Sequence, residues 1–362
     1  MTRKLYIFLI FCLLIQFSGK AQSDQLFFDF TSGGGRLIPH PKMKNLGGQV
    51  TFFNARLGLK TWGKKEWQRV YNYPEIGLGV SHNYLTTRSL GNPTAVYSFM
   101  NLPLISGTTL KLNLGMHLGL TWGFNPYREQ YPQDEVIGSK LAAYTSLNLN
   151  SSFQIVHRLE LLVAAEMYHL SNGNTNKPNK GINMLGAEAG VRYMISNTDA
   201  VKNSDPVIPV HRNSSFMVFG AWGTMRESTS YAGRVTVGSL STGIYRTLNH
   251  KSRLCAGVDL LYDEGNLHEI QKENRLENVL AAGVFGGHEL TFDKLSMVTQ
   301  VGIYLHNPVP SDPFYYTRLG LRYAVTKRII PSVTMKAHGI AVDFLEWGCG
   351  FVLWNFENRK VQ

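Results

Sequence analysis

Residues 109 to 124 read TLKLNLGMHLGLTWGF, and every second position is large and apolar: Leu110, Leu112, Leu114, Met116, Leu118, Leu120, Trp122, Phe124. Between them stand Lys111, Asn113, Gly115, His117, Gly119, Thr121 and Gly123. A period of two sends neighbours to opposite faces, so the segment is a strand and not a helix. It also far exceeds the roughly 5–6 residues usual for strands in soluble sheets. One wholly apolar face ending in aromatics, opposite a face of glycine and polar residues, is the pattern of a transmembrane barrel strand. A long strand of a soluble sandwich would alternate in the same way, but several segments here share this length. Leu295, Met297, Val301, Ile303 and Leu305 repeat the apolar face in FDKLSMVTQVGIYLH. In RLELLVAAEMYHL, Leu159, Leu161, Val163, Ala165 and Met167 oppose Glu160, Leu162, Ala164, Glu166 and Tyr168, and acids suit the interior of a barrel better than its hydrocarbon wall.

Alternating segments fall at 25–31, 49–60, 74–84, 94–103, 109–124, 138–152, 155–170 and 182–195 in the first half. Long connections follow the odd-numbered ones, among them GGGRLIPHPKMKNLG, TTRSLGNP, NPYREQYPQDEV and SNGNTNKPNKG. Most of the others are short, such as ISGT and NSSF, with TWGKKEWQRVYNY an exception. Membrane barrels alternate long outer loops with short turns on the periplasmic side, which puts His169 and Ser171 at the outer end of the seventh strand. GGGR lacks a strand-to-helix setting and reads as a flexible loop, with His40 in the same loop. Residues 196–215 are polar and proline-containing, a linker by composition. Eight further segments follow at 216–226, 232–246, 252–263, 277–290, 294–306, 315–326, 330–338 and 342–354. The expected fold is all-β, an antiparallel transmembrane barrel, closed either as one large ring or as two smaller ones. A barrel region over 23–195, the linker, and a second strand region over 216–362 make up the domain plan.

The first residues place Arg3 and Lys4 before an apolar run from Leu5 to Phe17 and small residues near Ala21. That is the pattern of a secretory signal peptide over residues 1–22, and it implies an exported chain. Losing Arg3, Lys4 and Lys20 takes the formal charge from +11 to +8, spread without a basic, aromatic-interleaved run, so nucleic acid is not an expected partner. Downstream no apolar stretch reaches the roughly 18 residues of a helical span. Cys255 and Cys349 lie in apolar segments; they pair or stay as buried thiols. Neither a CxxC nor a metal-type His/Cys spacing occurs, so no metal and no cofactor are expected.

Residues 166 to 183, EMYHLSNGNTNKPNKGIN, hold the candidate chemistry. His169 and Ser171, two apart, share the outward parity of Leu161, Val163 and Met167. An imidazole bonded to a serine hydroxyl takes its proton as the oxygen attacks an acyl carbon. A site on the hydrocarbon side suits a lipid substrate. Asn183 begins the next outward set, with Leu185, Ala187, Ala189 and Val191, and can meet His169 across the hairpin. Turn chemistry explains the same residues blandly, since Asn172-Gly173 is a strong hairpin signal and Ser and Asn cap loops. Elsewhere His338, Asp343 and Glu346 cluster near a strand junction without a neighbouring serine, which reads as a structural rim, and His117 reads as a hydrogen-bonded interior residue.

The run HLSNGNTNKPNKGIN followed by LGAEAGVRY resembles the lipid A 3-O-deacylase (PagL-type) family over about residues 25–195. That resemblance implies an eight-stranded outer-membrane barrel that hydrolyses the ester-linked 3-hydroxyacyl chain of lipopolysaccharide. It implies Ser171 as nucleophile, His169 as general base and Asn172 as an oxyanion donor. On such a substrate the glucosamine phosphates are expected near basic loop residues such as Lys177 and Lys180. The family pattern carries Glu where this chain has Asn183. An amide still fixes the imidazole tautomer, as in Cys-His-Asn proteases, but stabilises an imidazolium less.

Overall fold

All sixteen alternating segments become strands, and each run of eight closes on itself. In a computed structural model, residues 24–38, 47–107, 111–127, 136–196, 201–226, 233–267, 270, 279–309, 311–339 and 341–356 are described. The signal-peptide expectation and His40 lie outside them. The first barrel runs β1 (Gln25–Ile38), β2 (Gln49–Lys60), β3 (Glu75–Leu85), β4 (Gly91–Ser106), β5 (Lys111–Phe124), β6 (Leu141–Val156), β7 (Leu159–Ser171) and β8 (Ile182–Met194), with β8 antiparallel to β1. The second runs β9 (Ser214–Arg226), β10 (Arg234–Thr247), β11 (Ser252–Asp263), β12 (Leu280–Phe292), β13 (Leu295–His306), β14 (Tyr315–Tyr323), β15 (Ile329–His338) and β16 (Ala341–Phe356), closed by β16 on β9. The chain is thus two closed eight-stranded barrels, not one ring of twice the size. A single turn of helix, α1 (Glu66–Val70), occupies the exceptional connection after β2.

The alternation sorts side chains as a membrane barrel requires. Leu147, Met167, Leu185, Val163 and Val191 are exposed on the outer wall of the first barrel, and Leu240, Ile244, Val258, Val301 and Ile303 on that of the second. Closing the ring pairs each strand on both edges, which is what hydrocarbon demands of a backbone. Inside the first barrel Arg192 bonds Asp29 (2.7 Å) and Glu75 (2.6 Å), and Arg56 bonds Glu188. Glu188 also accepts from Thr31 and Asn54, each at 2.6 Å, while Glu166 accepts from Tyr144 (3.0 Å) and Ser146 (2.6 Å). Glu166 and Glu188 therefore face the lumen, as their parity predicts, and His117 is held there by Asn148 at 2.9 Å. In the second barrel Arg318 joins Asp259 (3.0 Å) to Glu346 (3.1 Å), and Arg322 meets Glu289 at 2.5 Å. Buried charges survive when paired and hydrogen-bonded, and here the pairs fill both interiors.

Two expectations are corrected. GGGR is not a loop: β1 continues through Gly33, Gly34 and Gly35 to Ile38. A Cβ on inward-facing Gly33 would sit 2.4 Å from the Phe52 ring, and one on Gly35 2.5 Å from Met184 Sδ. The glycines make room for lumen side chains instead of bending the chain. Nor does NSSF turn: β6 runs to Val156, and the reversal comes at His157 and Arg158, where Arg158 takes φ 67. Cys255 and Cys349 are both free thiols.

Candidate active site

The pleat of one hairpin builds the site. On β7, Val163, Ala165, Met167 and His169 point outward, and the register sets His169 directly opposite Asn183 on β8 and beside Thr145 on β6. Asn183 Oδ1 lies 2.7 Å from His169 Nδ1. An amide oxygen only accepts, so Nδ1 carries the proton and the lone pair is left on Nε2. The register thus places the Asn183 amide against the imidazole across the hairpin.

Ser171 closes β7 opposite Ala143, on the same face as His169, and is buried beneath the connection to β8. That connection is organised by Asn179. Its Nδ2 lies 2.9 Å from Ser171 Oγ, and its Oδ1 accepts the backbone N–H of Asn172 at 3.1 Å. Asn179 is itself fixed by an antiparallel bridge to Ile137 and by the Lys180 N–H on the Val136 carbonyl (2.9 Å). Asn172 donates from its side-chain amide to Ser139 Oγ at 3.1 Å, and the Ser139 hydroxyl donates to the Leu141 carbonyl at 2.7 Å. The loop before β6 and the loop before β8 are thereby stitched together over the serine.

Gly181 completes the packing. It takes φ +70, and a Cβ there would lie 2.7 Å from His169 Cε1. Only glycine allows both the left-handed backbone and the close approach to the ring. Asn179, Ser139 and Gly181 carry no parity signal; the trace they leave in the sequence is the Pro-Asn-x-Gly spacing at Pro178, Asn179 and Gly181.

The other cluster assembles only in part. His338 Nδ1 lies 3.1 Å from Asp343 Oδ1 and its Nε2 3.1 Å from the Tyr304 hydroxyl, but Lys336 Nζ sits 2.5 Å from Asp343 Oδ2. Glu346 points away from them, to Arg318 and Thr334. The ammonium neutralises the acid, as befits a structural rim. Among the described residues no group of three or more His, Cys, Asp or Glu side chains is arranged to hold a metal.

Residues 51–192 match the family model for lipid A 3-O-deacylase (PagL). The first barrel belongs to that family. Residues 212–357 match the acyloxyacyl hydrolase C-terminal domain, so the PagL-type barrel is followed by a second domain with its own family model. No curated protein matches the chain. Among solved structures, the outer membrane enzyme PagL is 16% identical, covering 46% of this chain and 98% of that one with a TM-score of 0.34. A TodX monoaromatic hydrocarbon channel mutant (9% identical, 95% and 90% covered, TM-score 0.19) and Omp33 of Acinetobacter baumannii (7%, 91% and 99%, 0.19) are also similar.

Proposed function

We propose that the PagL-type barrel deacylates lipid A in the outer leaflet of the outer membrane, with Ser171 as nucleophile and His169 as general base. The observation that carries this reading is the imidazole on the hydrocarbon side of the wall, its tautomer fixed by Asn183 at 2.7 Å. Ser171 Oγ bonds to the acyl carbon while its proton passes to His169 Nε2. The ester C–O bond then breaks, and the 3-hydroxyl of the glucosamine leaves with that proton. Water repeats the steps on the acyl-serine and frees the 3-hydroxy fatty acid. The amides of Asn172 and Asn179, already near the serine, are the candidate donors for the developing oxyanion; losing such a donor costs roughly 2.7–4 kcal/mol. The acyl chain lies along the outer wall past Met167, Leu185, Val163 and Ala187. No cofactor enters the scheme.

A pore is the competing reading for any barrel, and the ion pairs across both interiors speak against it. The deciding experiment compares lipid A from cells carrying the native chain with cells carrying Ser171→Ala. Loss of 3-hydroxy fatty acid release, with normal insertion of the variant, is the expected result. Unchanged release refutes the assignment. Phospholipid vesicles tested beside lipopolysaccharide separate a lipid A deacylase from a phospholipase.

A further inference from the structure

Hydrocarbon-facing walls exclude formal charge, and seven of the eight strands of the first barrel obey that rule. On β7 the outward positions run Leu159, Leu161, Val163, Ala165, Met167 and His169, and on β8 Asn183, Leu185, Ala187, Ala189, Val191 and Tyr193. β2 shows Gln49, Thr51, Phe53, Ala55, Leu57 and Leu59, while Lys60 belongs to the lumen set. On β1 the outward set is Phe28, Phe30, Ser32, Gly34, Arg36 and Ile38. Among the described residues, Arg36 is the one formal charge on the outward face of this barrel.

Its place is not arbitrary. Ile38 pairs with Asn183, the residue that orients His169, and Arg36 pairs with Leu185. Arg36 thus lies one pleat, about 7 Å along the strand, on the membrane side of the site. It is exposed, and no described carboxylate pairs with it. An arginine near the interface costs far less than one at mid-depth, because its long stem lies along the wall and lifts the guanidinium to headgroup level. What a guanidinium meets there is an anion with paired oxygens, and phosphate fits its fork of donors.

We infer that Arg36 is a positioning residue which grips a phosphate group of the glycolipid while the ester lies against Ser171. This rests on the deacylase reading above and names the residue that holds the headgroup of that substrate. The guanidinium touches no reacting atom; it fixes where along the wall the headgroup comes to rest.

The test uses the full chain in detergent micelles, with lipid A and the same lipid A stripped of its phosphates. Native kcat/KM is expected to be about tenfold higher on the phosphorylated form, the scale of one charge-assisted contact. Arg36→Gln should erase that preference while leaving the rate on stripped lipid unchanged, and Arg36→Lys should keep part of it. Equal losses on both lipids mean a structural role, and an intact preference means that the phosphate binds elsewhere; either overturns the inference. If the native chain hydrolyses neither lipid, the deacylase reading is what fails. Retention of the two lipids by Ser171→Ala, with and without Arg36→Gln and followed by native mass spectrometry, then decides the phosphate contact alone. Equal retention of phosphorylated lipid with and without Arg36 overturns it.

Discussion

Asn183 sets the strength of the base in the proposed mechanism. Its oxygen orients the imidazole but carries no charge to stabilise an imidazolium. Asn183→Asp keeps the shape and adds that charge, so deacylation should quicken, by up to about tenfold at the ~1.4 kcal/mol scale of a modest charge effect. Asn183→Leu removes the acceptor and releases the tautomer, which should slow turnover by about 10²–10⁴-fold. Single-turnover rates on lipid A check both; a faster leucine variant would exclude Asn183 as the orienting partner. Gly181→Ala should lower activity at least about tenfold with the barrel still folded, since strained backbone and a 2.7 Å clash both displace His169. The shared outward face of His169, Ser171 and Asn183 was legible in the sequence because period-two parity puts side chains on a known face. Asn179 was not, because its position depends on a loop pinned by Ile137 and Val136, contacts between segments far apart in the chain.

At the scale of the strand, composition misleads where glycine is dense. Three consecutive glycines look like a hinge, yet in β1 Gly33 and Gly35 are the only residues small enough to pass beside Phe52 and Met184. Gly34, between them, faces outward with its nearest neighbour atom 3.6 Å from a built Cβ. The consequence is an alternating tolerance. Gly33→Val should destabilise the barrel by about 1–3 kcal/mol or block closure of β1 on β8, whereas Gly34→Ala should be near neutral. The heat-modified gel shift of folded barrels, read across a temperature series, distinguishes them. Equal behaviour of the two variants would mean that the glycines are spacers without a packing role. Strand existence was legible throughout because burial imposes alternation. Boundaries were not, because the turn at His157 and Arg158 is set by one left-handed residue and not by composition.

For the whole molecule, sixteen alternating strands are equally compatible with one ring or two, since alternation specifies faces and says nothing of which strand closes on which. Closure is decided by β8 finding β1, with Phe30 opposite Val191 and Gly34 opposite Ala187, before β9 is reached. Each barrel therefore satisfies its own backbone and carries its own buried ion pairs. Arg318→Met tests whether stability divides the same way. It leaves Asp259 and Glu346 buried without their shared counter-charge, and breaking such a pair costs about 3–5 kcal/mol. The second barrel should then unfold at lower urea and yield to protease, while the first keeps its strand pairing and its deacylation rate, because each ring closes through its own eight strands. Parallel loss of both signals at one urea concentration would mean that the two rings, though separately closed, stand or fall as one cooperative unit, and the second domain would then be a stabilising partner of the PagL-type barrel.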